Sequence, residues 1–132
     1  MNMQDQKRKN NLGYQLATFK FAWQGLRYFF HSELKASIHL IAAILAIGLG
    51  ALLKISAVEW VLIALAIGIV LMAEIANTAI EMLVDMVTRE QNKAAGTTKD
   101  LAASAVLVAS ATALVIGLII FLPRLLHLVL NL

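Results

Sequence analysis

Cysteine is absent from these 132 residues, which excludes disulfides, thiolate zinc sites and cysteine nucleophiles. Charge is scarce as well. Only 14% of residues are Asp, Glu, Lys or Arg against 61% apolar, a balance on the membrane side of globular usage. No G-x-x-x-x-G-K-[ST] segment occurs, so there is no P-loop, and the glycine-rich loop of protein kinases is missing too. Ser32, Ser37 and Ser104 lack a His–Asp relay. His31, His39 and His127 show no metal-ligand spacing and read as interfacial or capping residues. Although the net charge is +3, no basic stripe interleaved with aromatics accompanies it, so nucleic acid is not an expected partner.

What is present is a single domain's length of chain with strongly uneven patterning. Residues 1–11 are polar and charged, and a flexible tail is expected there. Residues 14–32 follow a helical period, with Phe19, Ala22, Trp23, Leu26 and Phe30 on one face and Lys20, Gln24, Arg27 and His31 on the other. Such a helix beside membrane spans is expected to lie in the interface plane. The long charge-bearing stretch before the first apolar run is unlike a signal peptide.

Three apolar runs follow, Ile38–Leu53, Val58–Ala73 and Leu101–Leu122, the last closed by Pro123-Arg124. With their flanking turns they predict three transmembrane helices over about 35–53, 57–87 and 100–122, in an all-α membrane protein. Lys7, Arg8, Lys9, Lys20, Arg27 and Lys35 precede the first run, and Arg89, Lys93 and Lys99 lie between the second and third. Only Lys54 lies between the first and second. The positive-inside rule therefore puts the N-terminus and the 88–99 segment in the cytoplasm and the C-terminus outside. Small residues at helical spacing, Ala42, Ala46 and Gly50 and then Ala105, Ala109, Ala113 and Gly117, suit close helix approach and an oligomer.

The chemistry is concentrated in Ala73–Val87, AEIANTAIEMLVDMV, which continues the second run without Gly or Pro. Glu74, Asn77, Glu81 and Asp85 are spaced by three, four and four residues, so a helix stacks them in one stripe. Like charges four residues apart repel, and acids on a membrane helix are costly unless paired, hydrated or metal-bound. An ordinary solvated helix end accounts for Asp85 and Glu81 but poorly for Glu74 at the apolar boundary. Hard oxygen ligands without His or Cys suit Mg²⁺. Gly96, Lys99 and Asp100 precede the third run, where Asp100 is placed to cap the helix and Lys99 to complement a phosphate. Glu33 adds an acid on the same membrane side.

The segments AEIANTAIEMLVD and AGTTKDLAASAVL, with FKFAWQGLRYFF, HSELKASIHL and GLIIFLPRL around them, resemble the small prokaryotic diacylglycerol kinases, a family that includes undecaprenol kinases. The resemblance implies a homotrimer with active sites shared between subunits, using ATP and Mg²⁺ to phosphorylate a membrane lipid alcohol at the cytoplasmic face of the cell membrane. By position it makes Glu74 the catalytic base with Asn77 as its neighbour, and Glu33 and Glu81 the Mg²⁺ ligands. It assigns Asp85, Glu90, Gly96, Lys99 and Asp100 to the nucleotide site. The chain departs from the undecaprenol branch after Glu33, where Lys35-Ala36-Ser37-Ile38-His39 stands in place of N-F-R-I-H. The IHL segment and the GLIIFLPRL ending lean towards that branch nonetheless.

Two other classes compete with a kinase on residue pattern alone. A small proton- or cation-coupled transporter would use Glu74 as its intramembrane carboxylate, yet would need neither Lys99-Asp100 nor the acids below Glu74. A membrane scaffold would rest on the small-residue stripes and tolerate loss of all three acids.

Overall fold

The computed structural model describes residues 3–32, 34–88, 90 and 92–130. Its order is α1 (Met3–Ser32), α2 (Leu34–Leu52), α3 (Ala57–Val87) and α4 (Lys93–Leu130), with no strand among the described residues. Residues 1–34 form one compact unit and 35–132 another.

In the first unit the helix starts at Met3, so the polar segment expected as a flexible tail is helical over most of its length. Gln, Lys and Arg are good helix formers, and no proline interrupts them. Phe19, Phe21 and Trp23 are exposed, while Phe29 is buried and meets Phe30 edge-on at 5.2 Å.

In the second unit the α2–α3 connection is four residues long and closely specified. Ile55 N–H bonds Gly50 O at 3.2 Å and Lys54 N–H bonds Ala51 O at 3.3 Å, the paired bonds of a Schellman motif. Lys54 takes the left-handed position at φ 50°, where glycine is the usual residue. Ser56 then opens α3 with a reciprocal capping box: Glu59 N–H bonds Ser56 Oγ, and Ser56 N–H bonds Glu59 Oε2 at 2.7 Å. From there α3 runs unbroken to Val87, as the lack of Gly and Pro in its second half predicts.

The last helix departs from expectation at both ends. It starts at Lys93 rather than near residue 100, because Asn92 Oδ1 accepts from Ala94 N–H at 2.8 Å and caps it. The Thr97 and Thr98 hydroxyls bond the Lys93 and Ala94 carbonyls one turn back, so these residues fit inside a helix without stranded polar groups. Asp100, expected as the cap, therefore sits two turns inside. The helix also continues through Pro123 to Leu130. A proline within a helix withholds an N–H and pushes on the carbonyl four residues back. One residue on from the carbonyl so affected, the Arg124 guanidinium donates to Ile120 O at 2.8 Å.

Packing in this unit is uneven. The buried cluster Ile55, Ile63, Ile120 and Phe121, with Trp60 and Leu53 against it, lies at the α2–α3 turn. Gly50 lets the Trp60 ring come close; a Cβ there would stand 3.1 Å from Trp60 Cη2 and 3.0 Å from Ile55 Cδ1. Outside that cluster most large apolar residues, including Leu65, Met72, Leu107, Val108 and Ile119, are exposed. Water tolerates so continuous an apolar surface poorly, whereas lipid does not penalise it. Both α3 and α4 are long and apolar enough to cross a bilayer, and the apolar part of α2, Ser37–Leu52, is shorter. These features are consistent with a membrane protein.

Candidate active site

A ladder of polar side chains descends one face of α3, away from the capped turn. Glu74 and Asn77 are each 3% exposed, Glu81 is half-buried and Asp85 is exposed. The local spacing sets the stripe and the neighbouring helices set its gradient of burial. Burying a carboxylate without a partner is prohibitive, so what each group touches decides what it can do.

Glu74 is met by His39 from α2, whose Nε2 lies 2.8 Å from Glu74 Oε1. His39 was expected to be an interfacial or capping residue; the structure instead makes it the partner of the most buried acid. Asn77 Nδ2 donates to Glu81 Oε1 at 2.8 Å, one turn further down, while Asn77 Oδ1 is buried with no hydrogen-bond partner. At the foot of the ladder Lys99 Nζ, from α4, donates to Asp85 Oδ1. The predicted stripe thus resolves into three successive pairs, His39–Glu74, Asn77–Glu81 and Lys99–Asp85.

Two cavities lie in this unit. One, of about 550 Å³, is lined by Asp85, Thr88, Glu90, Asn92, Lys93, Gly96 and Lys99. It joins most of the residues assigned to nucleotide in a single cleft, with lysines to meet an anion. A Cβ on Gly96 would meet nothing within 4 Å, so the cleft is open at that wall. Asp100, although exposed nearby on α4, is not among its lining residues. The second cavity, of about 470 Å³, lies between α2, α3 and α4 and is apolar except for His39 at one end and Ser110. Ser110 Oγ is buried there without a partner.

The donor set fits a hard divalent cation. Among the described residues no three His, Asp or Glu side chains gather as a complete metal cage, and Glu33 lies outside the described residues. Mg²⁺ needs no such cage, since it keeps several waters and takes one or two carboxylates plus phosphate oxygens. Asn77 Oδ1, buried without a partner beside Glu81, adds a neutral hard oxygen at this place.

At the opposite end of the unit, Arg124 forms a two-pronged ion pair with Glu59, Nη1 to Oε1 and Nη2 to Oε2, both at 2.8 Å. In the sequence Arg124 stands out only as the residue that, with Pro123, closes the third apolar run. The pairing of Arg124 with Glu59 across 65 positions has no local signature. His39 escaped for a similar reason, although a polar residue in an apolar run, folded back by a short turn towards Glu74, was a usable signal.

Comparison with known proteins gives a consistent result. The model of the family described as prokaryotic diacylglycerol kinase matches residues 20–121. An undecaprenol kinase of Bacillus subtilis is 36% identical over 123 residues, covering 93% of this chain and all of that protein. A diacylglycerol kinase of Synechocystis is 35% identical over 114 residues, covering 86% of this chain and 65% of that protein. A diacylglycerol kinase of Escherichia coli K12 is 32% identical over 95 residues, covering 72% and 78%.

Proposed function

We propose, from the premise that the chain belongs to the prokaryotic diacylglycerol kinase family, that it transfers the γ-phosphoryl group of ATP to the primary hydroxyl of a membrane lipid in a Mg²⁺-dependent reaction. The observation that carries this reading is the ladder itself. A buried carboxylate is bonded to His39, which lines an apolar cavity, and the same helix face leads to a lysine-bearing polar cleft. A lipid alcohol and a nucleotide need that juxtaposition of apolar and charged surroundings.

Phosphoryl transfer asks mainly for in-line positioning and neutralisation of charge. Glu74 takes the proton of the acceptor hydroxyl as general base, and Asn77 holds Glu81 in place. Glu81 and Asn77 Oδ1, with Glu33, would hold Mg²⁺, which when bound screens the phosphate charge. Lys99, released from Asp85, turns to the phosphates, and Glu90 and Gly96 line the nucleotide's cleft. Asp100 joins them from the exposed side of α4. Three helices crossing the cell membrane, with the N-terminus and the ladder's foot in the cytoplasm, agree with the placement of Lys and Arg. A homotrimer with active sites shared between subunits supplies neighbours for the exposed apolar faces.

Undecaprenol suits the apolar cavity better than diacylglycerol. A polyprenol carries a single polar group, whereas two ester linkages would find little besides Ser110 to bond. The test is purified protein with labelled ATP and each lipid in turn. Labelled phosphate should pass to the lipid fraction, more readily to undecaprenol, and only when Mg²⁺ is present. Absence of transfer to either lipid ends the kinase reading, and cation flux through reconstituted vesicles would then favour the transporter.

A further inference from the structure

Among the described residues, His39 alone both bonds Glu74 and lines the apolar cavity between α2, α3 and α4. Its side chain is 23% exposed and that of Glu74 is 4%, so the contact is part-buried, with the acid its inner member. It is also the one hydrogen bond to Glu74 among the described residues, and it engages a single oxygen, Oε1. A glutamate side chain has three rotatable bonds, and without a fixed partner its carboxylate samples several directions. The buried cluster at the capped turn, with Ile63 as its buried α3 member, lies about three turns along α3 from Glu74.

We infer that His39 is a positioning residue for the reaction, holding Oε1 of Glu74 through Nε2–H so that Oε2 receives the proton of the acceptor alcohol. The inference rests on the reading of Glu74 as the base. In the step it serves, the alcohol oxygen bonds to the γ-phosphorus as the bond from that phosphorus to the β,γ-bridging oxygen breaks. ADP leaves with the electron pair, and the alcohol proton passes to Glu74 Oε2. His39 keeps its own proton throughout. The tautomer this needs carries hydrogen on Nε2, the nitrogen that faces Glu74. Because the same ring walls the cavity, the acceptor's hydrocarbon and the base's orientation meet at one side chain.

Two variants separate a hydrogen-bonding role from a merely space-filling one. His39→Leu keeps bulk and removes the donor, whereas His39→Gln keeps an N–H donor. At saturating ATP and lipid, His39→Leu is expected to lower kcat by about 10–100-fold, the usual cost of losing an orienting partner. KM for ATP should stay within about twofold, and His39→Gln should keep kcat within about threefold of the native protein. Elution in detergent and melting temperature establish that both variants are folded. If His39→Leu does not fold, His39→Met supplies the donor-free side chain for the same comparison. Native kcat in the donor-free variant, or a glutamine variant as slow as the leucine one, overturns the inference. Glu74→Gln is measured alongside. Native turnover in that variant removes the base and this role with it, whereas its inactivity beside an active His39→Leu removes the role of His39 alone.

Discussion

The two ends of the α2–α4 unit are built on opposite plans. At the capped turn almost every polar group is answered. The Schellman bonds close α2, the Ser56–Glu59 box opens α3, and Arg124 bridges Glu59 to the Ile120 carbonyl beside Pro123. Apolar groups there are packed against one another, down to a glycine that makes room for an indole. At the other end a buried amide oxygen goes unanswered, an acid depends on one histidine, and a polar cleft opens at the ladder's foot. Satisfied groups hold a fold, and groups left unsatisfied are available to a ligand. The contrast implies that changes at the ladder end alter turnover with little effect on stability, and changes at the turn do the reverse.

The sharpest attempt to break that division is Glu74→Gln. It should cut lipid phosphorylation by about 10³-fold or more while the melting temperature stays within a few degrees. A matching collapse of the fold would show that the ladder is structural. Next comes Glu81→Gln, for which the Mg²⁺ concentration giving half-maximal activity should rise by about 10–100-fold, read from a Mg²⁺ titration at fixed ATP. Chelation should silence the native protein, and excess Mg²⁺ should restore it. At the turn, Gly50→Ala forces Ile55 and Trp60 aside and should cost about 1–3 kcal/mol of stability, seen by thermal melting with turnover preserved at low temperature. Arg124→Leu strips the Ile120 carbonyl of its extra donor and should cost about 1 kcal/mol, with KM for ATP unchanged. The smallest effect belongs to Lys54→Gly, which relieves the left-handed strain and should be neutral or stabilising by less than about 1 kcal/mol.

How much of this was legible in advance followed from distance along the chain. The stripe of Glu74, Asn77, Glu81 and Asp85 depends only on the pitch of one helix, so spacing was enough to find it. Lys99 was expected to complement a phosphate on the membrane side that holds Asp85, and its direct pairing with that acid came from the structure. His39 with Glu74, and Arg124 with Glu59, depend on how far α2 and α4 slide along α3, which side-chain packing sets and residue periodicity does not express. The ends of α4 were missed for local reasons that compete. Gly96 and two threonines read as loop, but the threonine hydroxyls satisfied themselves within the helix, and Asn92 was a better cap than Asp100. Pro123 read as a terminus, yet membrane helices tolerate proline where neighbouring groups re-satisfy the freed backbone.

Asn77 holds a consequence for the chemistry of substitution. Its amide faces two ways at once, giving hydrogen to an acid one turn below and keeping an oxygen in reserve. Aspartate matches its shape but would set anion against anion. Leucine matches its bulk but would offer neither half. The position therefore demands a neutral group with two faces, and in the proposed site it would tie the affinity for a cation to the posture of the carboxylate that receives it.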